Sequence, residues 1–235
     1  TKEIPPQRAK QSSAGVFFIS NSKKIDISLE AYYKNMINQV YYKSPIQEEL
    51  SFDNISNITA KNGIGIAYGT ELLINFQTDK FSGSIAYTLS WNKRKFQDLN
   101  NGNWFYFNYD RRHDLSILNF IKLSSKYFLS TNFVLSSGTP FSLPIGKSKS
   151  DELFYKYFIY GTYNNVRLPL YHRLDVSLSR KFVNKKGTRT HLSLNIYNIY
   201  ARINPTYIYY DSNTGKLYKK TYLTIVPSIN FQVDF

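Results

Sequence analysis

Residues 63–93 read GIGIAYGTELLINFQTDKFSGSIAYTLSWNK. From Ile64 the even positions carry Ile64, Ile66, Tyr68, Thr70, Leu72, Ile74 and Phe76, while the odd ones carry Gly65, Ala67, Gly69, Glu71, Leu73, Asn75 and Gln77. After a polar turn at Thr78-Asp79-Lys80 the alternation restarts, with Phe81, Ile85, Tyr87, Leu89 and Trp91 set against Ser82, Ser84, Ala86, Thr88, Ser90 and Asn92. A period of two places each set on its own face of a sheet. Each arm runs to roughly 13 residues or more, against a usual strand of ~5–6. One face is apolar with aromatic ends and the other small and polar, which is how a strand reads with lipid on one side and water on the other.

The composition narrows the field. The 235 residues carry a formal charge of +14, no cysteine, 21 Tyr and 17 Phe. Without cysteine there is no disulfide framework and no thiolate metal site. No apolar run approaches the ~18 residues of a transmembrane helix, but a barrel strand is half polar by construction and escapes that test. The chain starts at Thr1 without a leader-like segment, so we expect a mature chain or a piece of a longer one. The basic residues are scattered over turns and loops in small groups (Lys93-Arg94-Lys95, Lys185-Lys186, Lys219-Lys220), with no basic helix and no nucleic-acid motif. No nucleic-acid partner is expected; anionic lipid headgroups are the better use of the charge.

In chain order, residues 1–12 read as a lead-in loop and residues 13–235 as one barrel portion. Strands are expected at about 13–21, 24–42, 63–77, 81–93, 110–123, 127–137, 169–183, 189–210 and 216–235. Short turns join them at 21–23, 78–80, 124–126 and 184–188, and longer loops at 43–62, 94–109 and 138–168. Short turns on one side and long loops on the other are the outer-membrane pattern, periplasm against exterior. The last hairpin is the exception, with a tight turn at 212–215 where a long loop belongs. Nine strands are odd in number and an open sheet would leave unpaired edges in lipid. The expectation is therefore a fragment, with further strands before Thr1.

Six strings, in order, resemble one family. Tyr68-Gly69-Thr70-Glu71-Leu72-Leu73, Tyr87-Thr88-Leu89-Ser90-Trp91 and Asp110-Arg111-Arg112-His113-Asp114 come first. Ser137-Gly138-Thr139-Pro140 follows, then Asn165-Val166-Arg167-Leu168-Pro169 with Tyr171-His172-Arg173-Leu174-Asp175. Tyr197-Asn198-Ile199-Tyr200 with Asn204-Pro205 completes the series. Together they are similar to the C-terminal barrel of TonB-dependent outer-membrane receptors, in particular the group with a carboxypeptidase-regulatory-like domain ahead of the plug. The resemblance implies an all-β, antiparallel transmembrane β-barrel of about 22 strands, of which this chain supplies the last nine or so. It also implies a bacterial outer-membrane location and uptake of a scarce nutrient (siderophore, glycan or peptide) by energised displacement of a plug. The implied partners are TonB, reached through an N-terminal region outside this sequence, the barrel assembly machinery, outer-membrane lipid and lipopolysaccharide, and a surface lipoprotein. Two other readings stay open: a structural barrel component without transport, and a soluble sugar-binding β-protein.

Candidate site residues are few. Trp104, Phe105, Tyr106 and Phe107 lie in the 94–109 loop and could stack on a ligand ring or pack on neighbouring loops. Ile229, Phe231, Val233 and Phe235 share one face of the last strand and resemble a barrel-assembly signal, although Asn230 stands where glycine is frequent. His113, His172 and His191 are isolated, so neither a metal centre nor a catalytic site is expected, and no cofactor. The run from Asp110 to Asp114 reads as ion pairs at the start of a strand. Ser136-Ser137-Gly138 lacks the strand-turn-helix setting of a nucleophile elbow. Glycines on the polar face are expected where a plug or a neighbouring strand approaches closely.

Overall fold

A computed structural model of the chain describes residues 4–22, 24–43, 58–149, 156–183, 189–211, 214, 216–221 and 223–234. Nine long strands among them form one antiparallel meander: β1 Arg8–Ile19, β2 Ile25–Tyr42, β3 Thr59–Gln77, β4 Phe81–Lys95, β6 His113–Lys122, β7 Tyr127–Ser136, β12 Tyr171–Val183, β13 Arg189–Tyr197 and β16 Val226–Asp234. Short pieces decorate the loops. β5 (Phe105–Tyr106) pairs with β4, β8 (Pro140–Phe141) with β11 (Val166–Arg167), β9 (Pro144–Lys149) with β10 (Lys156–Tyr160), and β14 (Tyr207–Asp211) with β15 (Lys216–Lys220). The sheet is open, with β1 and β16 at its edges.

Register makes the apolar face continuous. Directly opposed residues share a face, and the row Phe18–Ile27–Ile74–Ile85–Ile117–Phe133–Leu174 crosses seven strands through successive pairings. The row Val176–Ile196–Pro227 carries that face on to the last strand. Opposite lie Ser, Thr, Asn and Gly, with Glu30 facing Glu71 and Ser177 facing Asn195. Leu72, Ile74, Leu89 and Val176 are all half-exposed rather than packed into an interior. A soluble sandwich would bury such residues between two layers. Here the described residues form a single layer that leaves these side chains uncovered.

Aromatic rows bound the apolar belt. At the loop end Tyr33, Tyr68 and Trp91 stand side by side, stacked at 6.5 and 5.2 Å between centroids. At the turn end Phe76 stacks on Phe81 at 4.9 Å. From Tyr68 to Phe76 is about 27 Å along a strand, which a barrel tilt of ~40° reduces to roughly 20 Å, close to the ~25 Å apolar band of outer-membrane barrels.

Several boundaries differ from the pattern reading. β1 begins at Arg8, inside the expected lead-in, because Arg8–Ser12 pair with Tyr33–Ile37. Ser12 stands in the aromatic row opposite Tyr33, and Arg8–Gln11 lie beyond it, where no alternation is required. β3 begins at Thr59 rather than 63. Asn38 and Asn62, both at φ 57°, slip the β2–β3 register between Met36 and Tyr41, so the strands run on past the point where parity breaks. The expected strands 189–210 and 216–235 each split in two. Asn198 at φ 52° and Ala201 at φ 53° turn the chain out of β13, and β14–β15 is a separate small hairpin inside a connection from 198 to 225. That connection is long, so the last hairpin obeys the same rule as the others.

Candidate functional site

The loop end of the wall holds the only buried apolar cluster among the described residues. It consists of Ala60, Phe96, Leu99 and Phe105, with Tyr41 and Tyr163 packed on it. β2, β3 and β4 overrun β6 and β7 here, and the polypeptide after β4 folds back over their exposed upper part. β5 continues the sheet opposite Lys93 and Arg94. Gly63 and Gly65 make the fold-back possible: a Cβ on Gly63 would sit 2.2 Å from the Phe96 ring, and one on Gly65 2.8 Å from the Arg94 guanidinium. Side chains of this same chain therefore fill the space over these two glycines, whereas a Cβ on Gly69 would meet the neighbouring strand, 2.4 Å from the Leu89 carbonyl oxygen.

Polar groups fasten the loops to this cluster. The Asn164 amide nitrogen lies 2.6 Å from the Tyr106 carbonyl oxygen, 2.8 Å from Asn108 Oδ1 and 3.2 Å from the Tyr41 hydroxyl. Tyr41 donates to Asn108 Oδ1, and Tyr163 donates to the Lys43 carbonyl. Burial pushes the Tyr163 phenol above its ordinary range.

The strings quoted from the sequence meet as clamps along the rim. Asp110 is fully buried, accepts the Asn92 amide at 2.5 Å and pairs with Arg167. Arg167 also donates to the carbonyls of Asp110 and Gly138 at 3.0 and 3.1 Å, and a Cβ on Gly138 would overlap the Leu168 carbonyl at 1.7 Å. Three strings thus converge on one buried carboxylate. A second clamp joins β12 to the 198–225 connection. Asp175 accepts the Asn198 amide at 3.0 Å, Asn198 Nδ2 donates to the carbonyls of Arg202 and Thr224, and Asn204 bonds both backbone groups of His172. Ion pairing at 110–114 is as expected, with Arg111–Asp114 at 3.3 Å, but its main partner, Arg167, lies far along the chain and leaves no pairing signal in the sequence.

The four loop aromatics part company. Phe105 is buried in the cluster, Trp104 is exposed, Phe107 lies under the Arg94 guanidinium at 4.2 Å, and Tyr106 is flanked by Lys93, Arg112 and Arg167 at 5.2, 5.3 and 4.9 Å. The hydrogen bond with Arg112 holds the Tyr106 phenol below its usual range. Tyr109, two residues beyond the predicted group, is 77% exposed and packs edge-on against Phe107. Its place in the same aromatic run was the available clue. A cleft of about 350 Å³ is lined by Lys43, Thr59, Lys61, Asn62, Gln97 and Asp98.

Elsewhere, Ile229 and Phe231 stand well exposed on the apolar face and Val233 half-exposed beside them; Phe235 lies outside the described residues. His113 and His172 hydrogen-bond Tyr87 and Tyr200 at 2.7 and 2.8 Å, and His191 approaches Asp234 at 3.8 Å. Among the described residues no three His, Cys, Asp or Glu side chains group as a metal site, and no helix is long and apolar enough to cross a membrane.

Solved structures decide what this wall resembles. The ferric-catecholate import receptor Fiu from E. coli K12 superposes on the whole chain with a TM-score of 0.62 at 14% identity. The ferric citrate transporter FecA matches 97% of it with 0.62 at 13% identity. The fold is that of a TonB-dependent receptor barrel. The ferripyoverdine receptor of the outer membrane of Pseudomonas aeruginosa matches 87% of the chain with 0.58 at 11% identity. The chain spans 29%, 32% and 25% of Fiu, FecA and the ferripyoverdine receptor, so the likeness is to part of a barrel wall. No family model matches the sequence, and no curated protein does.

Proposed function

We propose that residues 13–235, with the short lead-in, are the C-terminal portion of the wall of a bacterial outer-membrane, TonB-dependent receptor that imports a scarce nutrient. The apolar face continuous across nine strands carries the reading, because it suits lipid and no described residue covers it. The receptors it resembles are named for ferric catecholate, ferripyoverdine and ferric citrate, so an iron chelate is the first substrate class to test. In this reading the segment contributes wall and capture loops and no catalysis. Trp104 and Tyr109 offer exposed rings to ligand, with Tyr106 between cations and Phe105 bracing the loop from beneath.

TonB would act through the plug-bearing N-terminal region of the parent chain. Barrel assembly machinery would read the face of Ile229, Phe231, Val233 and Phe235, and a surface lipoprotein would close over the loops. The experiment is growth of a deletion strain on single iron, glycan or peptide sources, with the parent protein followed by heat-dependent gel mobility. Membrane-extracted, heat-modifiable protein and loss of uptake of one source support the proposal. A parent chain that partitions into buffer without detergent refutes it and favours the soluble sugar-binding reading.

A further inference from the structure

One polar pair interrupts the outward face. The row Phe76–Gly83–Asn119–Thr131–Val176 crosses five strands through successive pairings, on the same face as Ile74, Ile85, Ile117 and Phe133. Within it Asn119 and Thr131 stand directly opposite each other, both half-exposed, and Asn119 Nδ2 donates to Thr131 Oγ1 at 3.2 Å. Apolar rows flank the pair on both sides: Ile85–Ile117–Phe133 toward the loops and Phe81–Ile121–Leu129 toward the turns. On these strands the turn-end margin comes only after that second row, where Arg180 lies over the Tyr127 ring. The pair is therefore set inside the apolar belt. A carboxamide carries two N–H donors and an oxygen with two acceptor positions. One N–H is spent on Thr131, and no other described residue hydrogen-bonds the Asn119 side chain. Lipid offers no donor or acceptor to complete the set.

We propose that Asn119 and Thr131 lie at the two-fold axis of a dimer in the membrane plane, in which the outward faces of two copies of this chain meet. Polar side chains that hydrogen-bond across a contact hold membrane-embedded elements together where apolar area alone gives no preference over lipid. The occupant is a second copy because the pair carries no charge and a carboxamide is its own complement. The free N–H of one Asn119 meets the Oδ1 of the other, and the symmetry of an isologous contact supplies that bond twice. A partner chosen by charge would need a cation or carboxylate beside the pair, and neither flanking row holds one. Two convex walls touch along a narrow line, so hydrogen bonds on that line decide the register while Ile117, Ile121 and Phe133 pack around them. The inference rests on the reading that the apolar face meets lipid.

The test uses the full-length protein carrying this chain, with one introduced cysteine as its sole thiol; the chain itself has none. In native membranes Ile121→Cys should be captured by an oxidant or a short thiol cross-linker as a species of twice the protein's mass. Leu29→Cys, on the same face but three strands away in the sheet, should stay monomeric. Affinity is read in phosphatidylcholine vesicles, by energy transfer between copies labelled at Ser125→Cys over a series of protein-to-lipid ratios. Adding Asn119→Leu should raise the dissociation constant about 10-fold, two symmetry-related hydrogen bonds being lost, with heat-dependent gel mobility unchanged. Monomeric Ile121→Cys overturns the dimer, as does equal capture of Leu29→Cys or an adduct of any other mass. Undiminished association in the Asn119→Leu variant also overturns it, and shows that the pair simply faces lipid. Those failures leave the membrane reading standing, because heat-dependent gel mobility reports insertion separately. A protein that never inserts overturns both.

Discussion

Leu72, within β3, and Phe96, just past the end of β4, end up in opposite surroundings. Leu72 stays half-exposed on the outward face, level with Leu29 and Tyr87 of the neighbouring strands. Phe96, 1% exposed, is closed off on the other face by loop residues of its own chain. The loop rim is built as a soluble protein builds a core, with packed rings and hydrogen-bonded polar groups. In the proposed reading the wall faces a solvent that is itself apolar. A chain of this kind needs a water-type core only where its strands rise beyond the aromatic row, and that is where Ala60, Phe96, Leu99 and Phe105 are found.

The two regions should therefore respond to different substitutions. The largest effect belongs to Asp110→Ala, which leaves Arg167 without its buried partner. Breaking such a pair costs about 3–5 kcal/mol, and the damage should be confined to the rim. Hydrogen exchange should show residues 96–112 and 137–168 opening while the wall strands stay protected. Asn198→Ala follows, stranding the carbonyls of Arg202 and Thr224 at about 1–3 kcal/mol, read as faster proteolysis of the 198–225 connection. Trp104→Ala should leave stability within about 0.5 kcal/mol, as at other exposed sites, while weakening substrate capture by whole cells. The smallest effect is spectroscopic. With Tyr106 lowered and Tyr163 raised, alkaline absorbance titration should lose an early-ionising phenol in Tyr106→Phe and a late one in Tyr163→Phe.

The wall was legible in the sequence because an apolar face backed by a polar one imposes a strict period of two. Val16, Leu29, Leu72 and Tyr87 keep that phase, and register follows from it. Where both sides are wet the pattern has no reason to persist, so Arg8–Ser12 looked like a loop although it pairs throughout. Bulges at Asn38 and Asn62 break parity without ending the strands. The rim was the least legible part. Its aromatic residues are conspicuous, but whether a ring faces ligand or core depends on chain folding that only the structure reveals: Phe105 and Trp104 are neighbours with opposite fates. Arg167 and Asp110 lie too far apart in sequence for spacing to pair them.

One paired measurement bears most directly on whether oil covers the outward face. Leu72→Lys and Leu73→Lys introduce the same charge at adjacent positions on opposite faces, and folding free energy would be measured for each by reversible denaturant titration in bilayers. With lipid against the outward face, Leu72→Lys should lose about 2–4 kcal/mol, the cost of a cation near a bilayer midplane, and Leu73→Lys should change little. Equal small effects at both positions would contradict that placement.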